Sequence, residues 1–167
     1  MYTIRRATPE DALSLGTIHA LSWKKAYKGI IPDEILFQIT PEKRAHFFDK
    51  ALNLQWEEDY LLQVESEPAG LLCIGKNRDD DVDDFVGEIW GIYLHPDFIQ
   101  QGYGRILMDF ALSELKERGY TKVTLWVLKN NRKARFFYEK MGFQPDGKEK
   151  EIFIGKALEE IRYYKIL

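Results

Sequence analysis

The stretch Glu88–Leu115, EIWGIYLHPDFIQQGYGRILMDFALSEL, constrains the rest of the chain more than any other. It opens on an apolar, strand-forming run of Ile89, Trp90, Ile92, Tyr93 and Leu94. Pro96 ends that run, because proline cannot donate to a sheet ladder. Gly102 and Gly104 follow, and then Leu107, Phe110, Ala111 and Leu115 recur at helical spacing. The pattern reads as strand, glycine turn, helix. The first amides of a helix have no intrahelical partner, and the helix dipole makes that end positive. Glycines there let an anion approach the backbone closely. Neither common phosphate motif is present. Arg105-Ile106 stands where a P-loop needs Lys-Ser or Lys-Thr, and Leu107 stands where a dinucleotide fingerprint needs its third glycine. On these residues alone, a plain tight turn and an anion site are both open.

The flanking chain narrows the choice. Tyr2 to Arg6 alternates as a short strand. Thr8-Pro9-Glu10-Asp11 starts a helix, with Thr8 as N-cap and Pro9 in the first turn. Ala12, Leu15, Ile18, His19 and Trp23 carry that helix to about Ala26. Gly29 to Pro32 reads as a loop, and Thr40-Pro41 starts a second helix through Ala45, Phe48, Ala51 and Leu52. Tyr60–Glu65 and Ala69–Lys76 read as strands, broken at Glu67-Pro68. Lys122–Leu128 is a buried strand. Asn131 opens a helix over Arg132–Met141, which Gly142 ends. Phe143 to Pro145 begins a further strand, and Lys148–Ile154 and Ala157–Leu167 form a hairpin about Gly155-Lys156. The order is strand, two helices, meander, then βαβαβ and a last strand. A parallel crossover from Glu88 to Leu128 within a meander gives a mixed α/β (α+β) sheet with helices on both faces.

Length and charge exclude several classes. At 167 residues the chain suits one domain, residues 1–167. The formal net charge of −3 gives no hint of nucleic acid or a membrane surface as partner. No apolar run is long enough to span a bilayer, and no signal peptide is seen at Met1, so a cytoplasmic location is expected. Cys73 is the one cysteine and reads as a small buried strand residue. Asp79 to Asp84 lacks the glycine and closing glutamate of a calcium loop and reads as a solvated loop. His46 and His95 have no metal-ligand spacing, His19 sits on a core stripe, and no metal is expected. No Gly-x-Ser-x-Gly motif supports a serine hydrolase.

Two motifs together resemble the GCN5-related N-acetyltransferase (GNAT) family. One is Gln100-Gln101-Gly102-Tyr103-Gly104-Arg105 at the strand–helix turn. The other is Asn131-x-x-Ala134-x-x-Phe137-Tyr138-x-x-x-Gly142-Phe143, which is far more specific. By order of elements the resemblance covers almost the whole chain. It departs at Ile99, where the family usually carries Gln or Arg; the phosphate contacts there are mostly made by backbone amides. The resemblance implies a mostly antiparallel sheet of six to seven strands with a splayed central parallel pair. It further implies acetyl transfer from acetyl-CoA, as co-substrate, to a primary amine of a small molecule, peptide or protein. The pantetheine arm would pair with Ile92, Tyr93 and Leu94, and the pyrophosphate would sit on the amides of Gln100 to Arg105. Asn131, Ala134, Phe137 and Tyr138 would complete the cofactor side.

Two chemical roles remain to be filled. An attacking amine must lose a proton, and Glu88 is the expected base, placed by alternation with Trp90 and Ile92 unless a bulge intervenes. An ion-paired strand carboxylate is the other reading of Glu88. The resemblance implies Tyr138 as the donor to the leaving thiolate, against the alternative of a packed helix aromatic. A backbone amide near Leu94 would polarise the thioester. Trp23 and Tyr27, one helical turn apart, either wall an acceptor pocket or belong to the core. A non-catalytic acyl-CoA-binding module on the same fold is the rival reading. Monomer and homodimer are both open.

Overall fold

The computed structural model describes residues 1–167. In chain order it holds β1 (Tyr2–Arg6), α1 (Ala12–Ala26), α2 (Asp33–Gln38), α3 (Pro41–Asn53), β2 (Asp59–Val64), β3 (Glu67–Lys76), β4 (Val86–Leu94), α4 (Tyr103–Glu117), β5 (Lys122–Leu128), α5 (Arg132–Lys140), β6 (Gln144–Phe153) and β7 (Ala157–Ile166). Single 3₁₀ turns precede α1 and follow β4, each opened by a proline, Pro9 and Pro96.

Local chemistry sets the helix starts. The Asp11 carboxylate accepts the Thr8 N–H at 2.8 Å and is clamped by the Arg5 guanidinium at 2.8 and 2.9 Å. Thr40 Oγ1 accepts the Lys43 N–H ahead of α3, and Asn131 Oδ1 accepts the Ala134 N–H ahead of α5.

The seven strands form one sheet in the order β1-β2-β3-β4-β5-β7-β6, antiparallel except for β4 and β5. Alternation in β2 and β3 assigns its two faces. Leu61 and Leu71 bury against Leu15 and Ile18 of α1 and Phe48 of α3. Leu62 and Leu72 bury against Leu107, Met108, Ala111 and Leu115 of α4, with Phe137 and Tyr138 of α5 packed beside them. A third cluster, Ile31, Leu36, Leu128 and Leu158, ties α2 to the tip of the β6–β7 hairpin and takes in Trp23 and Tyr27.

Three details differ from the sequence reading. The segment after Pro32 forms a short helix, α2, because Leu36 finds a hydrophobic partner in the far hairpin. The β2–β3 turn lies at Glu65-Ser66, both with positive φ (47° and 72°), rather than at Glu67-Pro68. Pro68 is accommodated beside a register shift at Leu62/Gln63. Gln144 to Phe153 is one strand, with an irregularity between Pro145 and Glu149 where two pieces were expected.

Candidate functional site

The site begins where β4 and β5 part. Their parallel pairing is confined to Val86–Lys122, Gly87–Val123 and Glu88–Thr124. Beyond it, β4 stays paired to β3 as far as Leu94, and β5 stays paired to β7 as far as Leu128. Each strand therefore turns one bare edge of N–H and C=O groups toward the gap. A cavity of about 1170 Å³ fills the opening. Ile92, Tyr93, Leu94, Gln100, Gly104, Asn131, Ala134, Phe137 and Tyr138 all line it, as do Trp23 and Tyr27 from α1.

One end of the cavity is the start of α4. Gly102 is its N-cap with φ +90°, a backbone conformation that glycine adopts without cost. The ladder of α4 opens with Ile106 N–H bonded to Gly102 O at 3.2 Å. The amides of Gly102, Tyr103, Gly104 and Arg105 precede it and have no partner in the helix. Gln100 also has positive φ (58°), and Gln101 Nε2 donates to Asp97 O at 2.8 Å, which braces the loop. A Cβ on Gly104 would meet the Phe137 ring at 3.5 Å and Leu94 at 3.6 Å, so α4 starts in contact with α5.

Tyr138 of α5 also lines the cavity. Its ring packs edge-on against Phe137 and Phe143, at centroid distances of 5.6 and 6.1 Å, and tilted against Tyr163. Burial pushes its phenol up, so the hydroxyl stays protonated at neutral pH. The ring is packed as a helix aromatic, and the residue also lines the cavity.

Glu88 is buried and committed to a partner. Arg78 Nε and Nη2 donate to its Oε1 and Oε2 at 3.2 and 2.8 Å, and the Arg78 backbone N–H adds a bond to Oε1 at 2.9 Å. A β-bulge at Trp90 breaks the alternation, since Ile74 pairs with Ile89 while Cys73 pairs with Gly91. Ile92 therefore turns to the α4 core, and Glu88 faces the α1 side with Tyr93.

Sequence reasoning missed Arg78 and Arg162. Arg162 of β7 is buried, and its guanidinium binds Asp79 at 3.1 Å, Asp81 at 2.7 and 2.9 Å and Asp146 at 2.6 Å. Trp126 Nε1 also donates to Asp79, at 3.0 Å. Half of the acidic loop is thus stapled to the sheet, where a solvated loop was expected. That staple fixes the neighbouring Arg78, which stacks on Trp90 at 4.4 Å and crosses to Glu88. The one sequence signal for it was an arginine between Ile161 and Tyr163 in the last strand.

His19 is the core residue expected of it. It stacks on Trp23 at 5.1 Å, and burial first, then Arg44, lowers its pKa to about 3. Glu57, Asp59 and Cys73 bring three potential ligand atoms within 4.8 Å of one another, a grouping the sequence spacing did not suggest. Both oxygens of the fully buried Asp59 lack a hydrogen-bond partner.

The comparisons with known proteins bear on the family and the fold. The family described as Acetyltransferase (GNAT) matches residues 18–143. This chain belongs to that family. It is 31% identical over 156 residues to an uncharacterised N-acetyltransferase of Methanocaldococcus jannaschii, covering 92% of this chain and 64% of that protein. It is 26% identical over 159 residues to a spermidine N(1)-acetyltransferase of Thermoplasma acidophilum, covering 90% of this chain and 93% of the relative. Its fold matches the PaiA N-acetyltransferase of Thermoplasma acidophilum, solved with coenzyme A, with a TM-score of 0.76 at 20% identity over 100% of this chain and 99% of that one. No helix is long and apolar enough to cross a membrane.

Proposed function

We propose that the protein transfers an acetyl group from acetyl-CoA to a primary amine by direct attack through a tetrahedral intermediate. The observation that carries this reading is the parting of β4 and β5 beside the glycine-capped start of α4. A pantetheine arm bears two amides and needs a bare strand edge, and a pyrophosphate needs convergent free N–H donors. The gap supplies the first from Ile92 to Leu94, and residues 100–105 supply the second. Arg132 and Lys133 line the same cavity and suit a polyanionic co-substrate. Tyr138 has its proton and can give it to the leaving thiolate, while Trp23 and Tyr27 wall the acceptor side. Glu88, held by Arg78, fixes the floor between them.

The test is calorimetric titration of acetyl-CoA, followed by thiol release with a panel of amines. The wild type binds acetyl-CoA, and Gly104→Glu abolishes binding, because a carboxylate then occupies the anion site. Undiminished binding by that variant would place the co-substrate elsewhere.

A further inference from the structure

Three carboxylates line the cavity: Glu88 from β4, Glu160 from β7 and Asp79 from the loop before β4. Asp79 is taken by Arg162 at 3.1 Å and Trp126 Nε1 at 3.0 Å. Both oxygens of Glu88 are taken by Arg78. Glu160 has no such partner. It makes no ion pair and no side-chain hydrogen bond, although it is half-buried. Its register neighbour on β6, Lys150, places its ammonium over the Trp126 ring at 4.0 Å instead.

The fold explains why Glu160 is held in that position. Leu158, Glu160 and Arg162 alternate onto one face of β7. Leu158 is anchored in the cluster with Ile31, Leu36 and Leu128, and Arg162 is anchored by Asp79, Asp81 and Asp146. The residue between these two anchors has little freedom to leave the cavity. It lies near the acceptor wall: burial first, and the Glu160 charge among lesser causes, push the Tyr27 and Tyr93 phenols up.

We propose that Glu160 is the residue that binds the acceptor's ammonium and takes its proton. The inference rests on the acetyl-transfer reading and names the acceptor as a cationic primary amine. An unpaired, partly desolvated carboxylate attracts an ammonium more strongly than one neutralised by arginine. In the reaction the ammonium gives one proton to Glu160, and the freed nitrogen pair forms a bond to the thioester carbonyl carbon. The tetrahedral intermediate collapses with cleavage of the C–S bond. The thiolate takes the Tyr138 proton, Tyr138 is reprotonated by the excess proton on the new amide nitrogen through solvent, and the proton on Glu160 leaves to water.

Burial raises the Glu160 pKa above the ordinary glutamate value, and Glu88 and Asp79 add to that. Lys150 on β6 and Arg78 in the β3–β4 loop oppose it. A base must be ionised, so the acidic limb of kcat/KM should lie above that of an ordinary glutamate.

Three proteins test the proposal: wild type, Glu160→Gln, and Glu159→Gln as a control. Glu159 points away and pairs with Lys129 at 3.1 Å. Acetyl-CoA affinity, by calorimetry, should be the same in all three. In Glu160→Gln, kcat/KM for thiol release with amines should fall about a hundredfold or more and lose its acidic limb. Binding of phenethylammonium to the CoA-saturated protein should weaken at least tenfold, with Glu159→Gln unchanged in both assays. Wild-type rates, acidic limb and ammonium binding in Glu160→Gln would overturn the proposal, as would wild type that does not bind phenethylammonium. If wild type binds acetyl-CoA yet releases thiol with no amine, the acetyl-transfer reading fails, and the ammonium titration alone decides for or against Glu160.

Discussion

Gly16 is the position where one added methyl group should do most damage to the acceptor side and least to the co-substrate side. It lies inside α1, where alanine would ordinarily gain about 1 kcal/mol over glycine. Here a Cβ would stand 2.4 Å from Ala45 N, 2.6 Å from Pro41 O and 2.9 Å from Ala45 Cα. All three are backbone atoms of α3, so no side-chain rotation relieves them. Ordinary contact begins near 3.4 Å, which means α1 and α3 must separate by about 1 Å. Overpacking of a core costs about 1–3 kcal/mol, and this clash belongs at the upper end or beyond it. After the gain in helix propensity, Gly16→Ala should destabilise by about 2 kcal/mol. In a domain of this size that lowers Tm by about 4–8 °C. Urea unfolding followed by circular dichroism measures it. The consequence for function is one-sided, because α1 carries Trp23 and Tyr27 whereas residues 100–105 sit on the other side of the sheet. Acetyl-CoA affinity should hold while KM for the amine rises. A variant as stable as wild type, or more stable, would refute the reading that α1 and α3 are in backbone contact at Gly16.

Two further outcomes are expected. Tyr138→Phe keeps the packed ring and removes the proton, so kcat should fall by about one to two orders of magnitude with acetyl-CoA affinity unchanged; unchanged turnover would remove Tyr138 from the chemistry. Asp59 has its pKa raised from 3.8 to about 8, by burial first and then by Glu57. A carboxyl that holds its proton more tightly when folded favours the native state fully below pH 4, and that contribution is lost as pH rises toward 8. Asp59→Asn should therefore flatten the fall in stability between about pH 4 and 8. It should also gain on the order of a few kcal/mol at the alkaline end, since one pKa unit is about 1.4 kcal/mol. Parallel denaturation curves for the two proteins across that range would contradict the burial argument.

Local sequence chemistry determined much of this protein. Pro9, Pro41 and Asn131 start helices because their backbone restrictions and caps act within three residues. The glycine turn and the Asn131–Phe143 pattern carried the family, since both are contiguous and their function depends on backbone geometry. What the tertiary structure decided are the contacts made across the sheet. Whether Glu88 or Glu160 is paired depends on where Arg78 and Lys150 reach, and those positions follow from a bulge at Trp90 and a staple at Arg162. A one-residue bulge turns side chains to the other face without altering the hydrophobic pattern that announces a strand. The Arg162 staple joins residues 81 and 83 positions apart, a separation over which no local periodicity carries information. For the same reason Gly16 reads in sequence as a weak point in a helix, and only the packing of α3 against it shows that its missing side chain is what lets the two helices meet.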